Sequence, residues 1–299
     1  MKSKRTICLL LTALLMLGAL PFVHASAETT DYGIKEFIWV RIPGEDTEKS
    51  VQLRDDMAKA MTEAIGIPVT VYRATDYTAA VEAMRTGHAH MAGLGPFSYV
   101  SARERANAEP LVVTATDGKH GYYSLILVRS DSNIQSLEEL KGKTFAFVDP
   151  ESTSGNIIPT DLFIKSFPEL NLTFDDLHTD GVFFRSAMYA GTHPSAIQAV
   201  IKGNVDAAAV TNGTLANQIE KGNVAEDELR VLVQSELIPA SPIAIRKDLP
   251  QELKDKVLEF LLSYDNEEYF GGPGKRYMKA VDSDYDYLAE LKETYGLSD

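Results

Sequence analysis

The chain contains one cysteine and one tryptophan in 299 residues, and only 29 basic side chains against 43 acidic ones. The cysteine, Cys8, lies in an apolar N-terminal stretch. The remainder therefore has neither a disulfide framework nor a thiolate metal cage, and must be held by its own core. The formal charge of −14 argues against nucleic acid or an anionic membrane surface as a partner. Past the first two dozen residues there is no apolar run long enough to span a membrane.

Those first residues read as a secretory signal peptide over 1–27: Lys2, Lys4 and Arg5, an apolar stretch over 7–20, then Ala25-Ser26-Ala27 as the cleavage site. Gly18 and Pro21 interrupt the stretch, which disfavours a retained anchor, and Cys8 is not followed by a suitable lipid-anchored start. Losing 27 of 299 residues leaves 272, and losing three basic residues takes the charge from −14 to −17. That length allows one large or two modest domains.

What is present is alternation. Strands are expected over 36–43, 69–72, 89–93, 111–116, 122–128, 144–148, 205–210, 229–234 and 243–246. Between and after them, helices are expected over 46–65, 76–85, 136–140, from about 152 to 167, and over 194–201, 253–261 and 285–291. Strand–helix alternation favours an α/β fold with largely parallel sheets. One unit occurs twice. AVEAMRTG at 80–87 lines up with AIQAVIKG at 196–203, and each is followed by an apolar strand, so two similar lobes facing a shared crevice are expected.

The segment TFAFVDPESTSG, at 144–155, carries the chemistry. A buried strand runs into Ser152, Thr153 and Ser154, where a helix begins among N–H groups that have no intrahelical acceptor. Such a terminus suits a compact anion, although an ordinary Ser/Thr cap has the same residues. No lysine or arginine occurs from Phe145 to Leu162, so the donors would be neutral.

In this order and spacing, several stretches resemble the periplasmic solute-binding components of ABC importers, specifically the phosphonate, phosphite and phosphate group. They are Thr75-Asp76-Tyr77, Gly95-Pro96, Gly121-Tyr122-Tyr123-Ser124, LEELKGK at 137–143, DPESTSG at 149–155, the surroundings of His193, and LIPASP at 237–242. The resemblance implies a type II two-lobe α/β fold, each lobe a mostly parallel sheet flanked by helices. Lobe one would be 28–122 plus 243–299 and lobe two 123–242, joined by crossovers near 123–128 and 236–243. It implies that Ser152, Thr153 and Ser154 hold phosphoryl oxygens, that Tyr77 and Tyr122 contribute phenols, and that His193, neutral or protonated, stands at the start of a lobe-two helix.

Where aminoalkyl-phosphonate binders of this group carry carboxylates, the chain has Gly213 and Ser241. Neither neutralises an ammonium group, so a ligand without an amine is expected, with Ser241 in the site. A second departure is His90, at the position where Asp206 stands in the second unit. The implied partners are a small oxyanion and the transmembrane subunits of a permease, with no cofactor, no metal and no nucleic acid. A secreted monomer is expected, in the periplasm or at the cell surface.

Three other readings compete. The same fold takes sulfonates, arsenic oxyanions or organic acids. Ser154 and His193 raise serine hydrolysis, but the turn is not a G-x-S-x-G elbow, so no enzyme is expected. His88 and His90, with His120 nearby, raise metal capture, without an H-E-x-x-H motif or a cysteine cluster to support it.

Overall fold

The computed structural model describes residues 32–44 and 46–297; the expected signal peptide lies outside them. The chain lays down β1 (Phe37–Arg41), α1 (Glu48–Ile65), β2 (Val69–Arg73), α2 (Tyr77–Arg85), β3 (Met91–Gly93), α3 (Pro96–Arg105) and β4 (Ala108–Thr116). It then moves to a second sheet through β5 (Ser124–Arg129), β6 (Thr144–Phe147), α4 (Ile158–Ser166), β7 (Ser186–Tyr189), α5 (His193–Ile201), β8 (Ala207–Thr211), α6 (Asn212–Glu220) and β9 (Leu229–Gln234). It returns as β10 (Pro242–Arg246), α7 (Gln251–Ser263), α8 (Glu267–Phe270), β11 (Lys275–Lys279) and α9 (Asp286–Thr294).

Among the described residues the strand orders are β2-β1-β3-β10-β4-β11 and β7-β6-β8-β5-β9. The two orders are the same device used twice. In each sheet the first and third strands flank a parallel core, and one antiparallel strand is inserted by the chain as it arrives from the other sheet, β10 in the first and β5 in the second. The duplicated sequence unit occupies equivalent places, as α2–β3 and α5–β8. Apolar clusters pack both faces of each sheet. The second includes Phe145, Phe147, Phe163, Phe183 and Phe184, all buried.

This equivalence explains His90. Its backbone N–H donates to the Ile38 carbonyl, and its Nδ1 accepts the Ile38 N–H at 2.9 Å. In the second sheet the Asp206 N–H donates to the Thr144 carbonyl, and its carboxylate accepts the Thr144 N–H at 2.8 Å. Imidazole and carboxylate thus do one job, each accepting a backbone N–H near the start of the neighbouring parallel strand, β1 or β6. His88 is exposed and meets Thr86, so the two imidazoles do not share an environment.

The two connections between sheets run side by side. Tyr122 and Ile238 exchange backbone hydrogen bonds of 2.9 and 2.8 Å. Gly121 makes this approach feasible: its φ is +122°, and a Cβ there would fall 2.9 Å from the Ile238 carbonyl oxygen. Beyond the expected elements the structure contains α3, β7, α6, α8 and β11. The capped helix expected at 136–140 is a single 3₁₀ turn over Glu138–Leu140, and Glu139 accepts from the Gln135 N–H.

Candidate functional site

A cavity of about 670 Å³ lies between the two sheets, and Tyr77, Tyr122, Ser152, Thr153, Ser154, His193 and Ser241 all line it. The reason is topological. Helices that follow parallel strands begin at the strands' carboxyl ends, and five such beginnings meet here. Tyr77 opens α2, Gly95 caps α3, Ser152 caps the turn leading into α4, His193 opens α5, and Thr211 caps α6. Each helix start carries about half a positive charge. The cavity is therefore electropositive through its backbone, inside a chain of net charge −14.

The hydroxyl run forms one turn of π-helix, Thr153–Ile157, continuous with α4. Ser152 Oγ accepts the Gly155 N–H at 3.1 Å, as a capping side chain does. Gly155 is required by packing: a Cβ would lie 2.5 Å from Val148 Cβ. Thr153 Oγ1 accepts the Phe97 N–H of α3 at 2.8 Å, a bond that spans the cleft. A second bridge joins Ser101 Oγ to Glu151 at 2.8 Å. Ser124 Oγ donates to the Ser154 carbonyl at 2.6 Å, tying the turn to the first strand after the crossover.

The tyrosines reach the same turn from the opposite wall. The Tyr77 phenol meets Ser152, and burial pushes its pKa upward. The Tyr122 phenol meets Thr153, Ser154 and Ser241, and burial raises its pKa to about 12. Both are neutral donors at physiological pH. Opposite them, His193 Nδ1 accepts the Thr211 N–H at 3.2 Å. A backbone N–H can only donate, so Nδ1 is unprotonated and the neutral ring carries its proton on Nε2. Burial also lowers its pKa, to about 4, in the direction that favours the neutral ring.

Sequence reasoning did not foresee α6. Thr211-Asn212-Gly213-Thr214 reads as a loop yet forms the cap and first turn of that helix. Asn212 is bound reciprocally to Tyr123: its N–H donates to the Tyr123 carbonyl and its Oδ1 accepts the Tyr123 N–H. Gly213, Thr214, Asn217, Gln218 and Lys221 then line the cavity, which has no other charged side chain among the described residues. The helical spacing of four between Gly213, Asn217 and Lys221 could have signalled this face.

Two α/β sheets of one topology, joined by paired crossovers around an electropositive cleft, have the two-lobe fold of type II periplasmic binding proteins. Residues 40–291 match the family described as the periplasmic substrate-binding protein of phosphonate ABC transporters, and the chain belongs to that family. It is 34% identical over 211 residues to the phosphonates-binding periplasmic protein of Escherichia coli K12, covering 68% of this chain and 59% of that one. It is 30% identical over 288 residues to the phosphate-import protein PhnD of Mycolicibacterium smegmatis, covering 90% and 88%. Among solved structures, a phosphonate-transporter binding protein of Pseudomonas aeruginosa superposes with a TM-score of 0.75 at 24% identity over 87% of this chain and 86% of that one. Prochlorococcus marinus PhnD1, in complex with methylphosphonate, gives 0.74 at 19% identity over 88% and 98%. These superpositions establish a common fold.

Proposed function

We propose that the protein is the extracytoplasmic receptor of an ABC importer and captures a small phosphorus oxyanion (a phosphonate, phosphite or phosphate) for delivery to a permease. The observation that carries this reading is the convergence of five helix N-termini and three buried hydroxyls on one cavity. Ser152, Thr153 and Ser154 would grip phosphoryl oxygens, with Tyr77, Tyr122, Ser241 and His193 Nε2–H completing the donor set. Three or four charge-assisted bonds of about 1.5–3 kcal/mol each, less the cost of ordering and closure, suffice for the roughly −8 kcal/mol of a micromolar complex. Gly213 and Ser241 at the cavity wall favour a ligand without an amine. The membership of the strands supports a first lobe of 28–122 plus 243–299 and a second of 123–242.

Binding without catalysis is the consistent chemistry. A base for Ser154 would need a free imidazole nitrogen facing the cleft, but in the neutral His193 ring the lone pair is spent on the Thr211 N–H. Membership of the family implies transport through permease subunits and a periplasmic or cell-surface location. Among the described residues no helix is long and apolar enough to cross a membrane. We expect a monomer.

Titration calorimetry against phosphite, phosphate, methylphosphonate, 2-aminoethylphosphonate, arsenate, sulfate and an alkanesulfonate tests the reading. Micromolar or tighter binding of at least one phosphorus oxyanion, above sulfate and sulfonate, is expected. Tightest binding of a sulfonate, or of the aminophosphonate, would overturn the ligand assignment.

A further inference from the structure

Behind the hydroxyl turn stands a histidine that does not line the cavity, His178. It acts on the turn through Asn156, which is buried and belongs to the same π-helical segment. Asn156 Nδ2 donates to the Pro150 carbonyl at 2.8 Å, tying together the two ends of the 150–156 loop with Ser152, Thr153 and Ser154 between them. A carbonyl oxygen can only accept, so this bond fixes the orientation of the amide. The Asn156 Oδ1 atom then faces His178 Nε2 at 2.6 Å. The other ring nitrogen, Nδ1, lies 2.9 Å from the Phe174 carbonyl. Both partners of the ring are therefore acceptors. A neutral imidazole has one N–H and leaves one acceptor against a lone pair, whereas the imidazolium serves both.

The surroundings divide on the charge. The ring stacks on Phe174 at 4.8 Å and Tyr189 at 5.7 Å, and such faces favour a cation. Burial lowers the pKa of His178 below its ordinary value, while the Phe174 carbonyl and Asp175 act in the opposite direction. The other titratable groups on the elements packed around it have partners of their own. Asp149 and Glu151 accept from the Tyr77 N–H and from Ser101, Asp176 accepts from Thr173, and Asp161 pairs with Lys165 and Tyr295. The Tyr189 phenol meets Asn156, and burial raises its pKa to about 12.

We infer that His178 is a positioning residue for the hydroxyl turn, and that its second proton completes the brace and strengthens anion capture. The inference depends on the proposed function, because it takes the phosphoryl group to lie at the Ser152–Ser154 turn. Linkage makes the effect reciprocal: an anion held by the turn raises the proton affinity of His178 by the factor that the proton adds to anion affinity. With the free ring titrating on the acid side of its ordinary value, the gain appears as pH falls below neutrality. At higher pH the neutral donors of the cleft act alone.

The test is calorimetry with methylphosphonate, phosphite and phosphate at pH 7.5 and 5.5, on the parent protein and on His178→Phe. The substitution keeps an aromatic ring in the stack and removes both bonds. Titration of the ligand and of His193 is common to the two proteins, so the quantity to read is the ratio of variant to parent dissociation constants for the tightest ligand. That ratio is expected to rise at least threefold from pH 7.5 to 5.5. Nitrogen NMR of the parent complex at pH 5.5 is expected to show protons on both ring nitrogens of His178. A smaller rise, or a fall, would overturn the inference while binding by the parent still upheld the phosphoryl site. A neutral His178 ring in that complex would overturn it without recourse to the variant. Failure of the parent to bind any of the three ligands would overturn the phosphoryl reading and this inference with it.

Discussion

Thr153→Val isolates the anion turn from the rest of the fold. Thr153 is 2% exposed, and its Oγ1 lies 2.8 Å from the Phe97 N–H across the cleft. Valine keeps the β-branched shape and nearly the same volume, so packing changes little, but two polar functions disappear. In the proposed reading the hydroxyl proton no longer serves a phosphoryl oxygen, a loss of about 1.5–3 kcal/mol for a charge-assisted bond. In the closed state the Phe97 N–H also loses its acceptor, which costs a further 1–3 kcal/mol or so where water does not replace it. At about 1.4 kcal/mol per decade, the first effect alone raises the dissociation constant some ten- to hundredfold, and the second pushes it further. Calorimetry with the tightest phosphorus oxyanion reads the sum. Urea denaturation of the ligand-free protein separates a folding defect from a binding defect, and Thr153→Ser should restore affinity to within about threefold. Binding by a folded Thr153→Val protein within twofold of the parent would refute the role given to this turn.

Two further outcomes follow from the same geometry. Gly155→Ala drives a methyl group into Val148, and overpacking of this kind costs about 1–3 kcal/mol. It should also weaken anion binding by shifting the turn, and Val148→Ala should recover at least about 1 kcal/mol in a double-mutant cycle; additive effects would be the contrary result. For His193, the folded-state pKa near 4 lies below the free value of 6.5. The folded state therefore binds fewer protons than the unfolded chain between those values. The stability held above pH 6.5 is lost as pH falls toward 4, by up to about 3 kcal/mol. Nitrogen NMR should show the Nε2–H tautomer at pH 7, with titration near 4 in the ligand-free protein and a higher value once an anion is bound. An Nδ1–H tautomer would be incompatible with the Thr211 bond.

The sequence made most of the framework legible because most of it obeys simple periodicity. α1 buries Met57, Ala58, Met61 and Ile65 at helical spacing, and the duplicated unit places α2–β3 and α5–β8 in equivalent slots. The unforeseen elements fail those rules for physical reasons. α3 is buried from Pro96 to Ala102, so no apolar stripe stands out against a polar face. α6 starts Asn-Gly-Thr and buries only Gln218, so it has the composition of a turn and little apolar pattern. β7 and β11 are edge strands, exposed or half-buried along most of their length. Both hidden helices direct their N-termini into the cleft. Local pattern is weakest where residues serve a cavity instead of a core. The hydroxyl turn was legible because its donors are contiguous in the chain, whereas Lys221 enters the cavity only through the unforeseen α6.

An acidic protein that captures anions requires its short-range field to win over its long-range one. A helix end of about +0.5 some 6 Å from a unit negative charge contributes about 1.4 kcal/mol at an effective dielectric near 20. Several such ends give several kcal/mol before any hydrogen bond is counted. The net −14 of the whole chain is spread over its surface. Exposed charges act on the cleft through salt solution, and beyond the roughly 8 Å Debye length they are largely screened. The helix ends are also divided between the two sheets: α2 and α3 come from the first, α4, α5 and α6 from the second. In the proposed reading, closure assembles the full field around the anion, and opening at the paired crossovers removes two of the five ends together with the Tyr77 phenol. Release to a permease then needs a hinge motion but no proton transfer and no competing cation. A site built on a buried lysine or arginine would keep most of its attraction in the open state. Grip made of dipoles from both lobes makes affinity a function of closure.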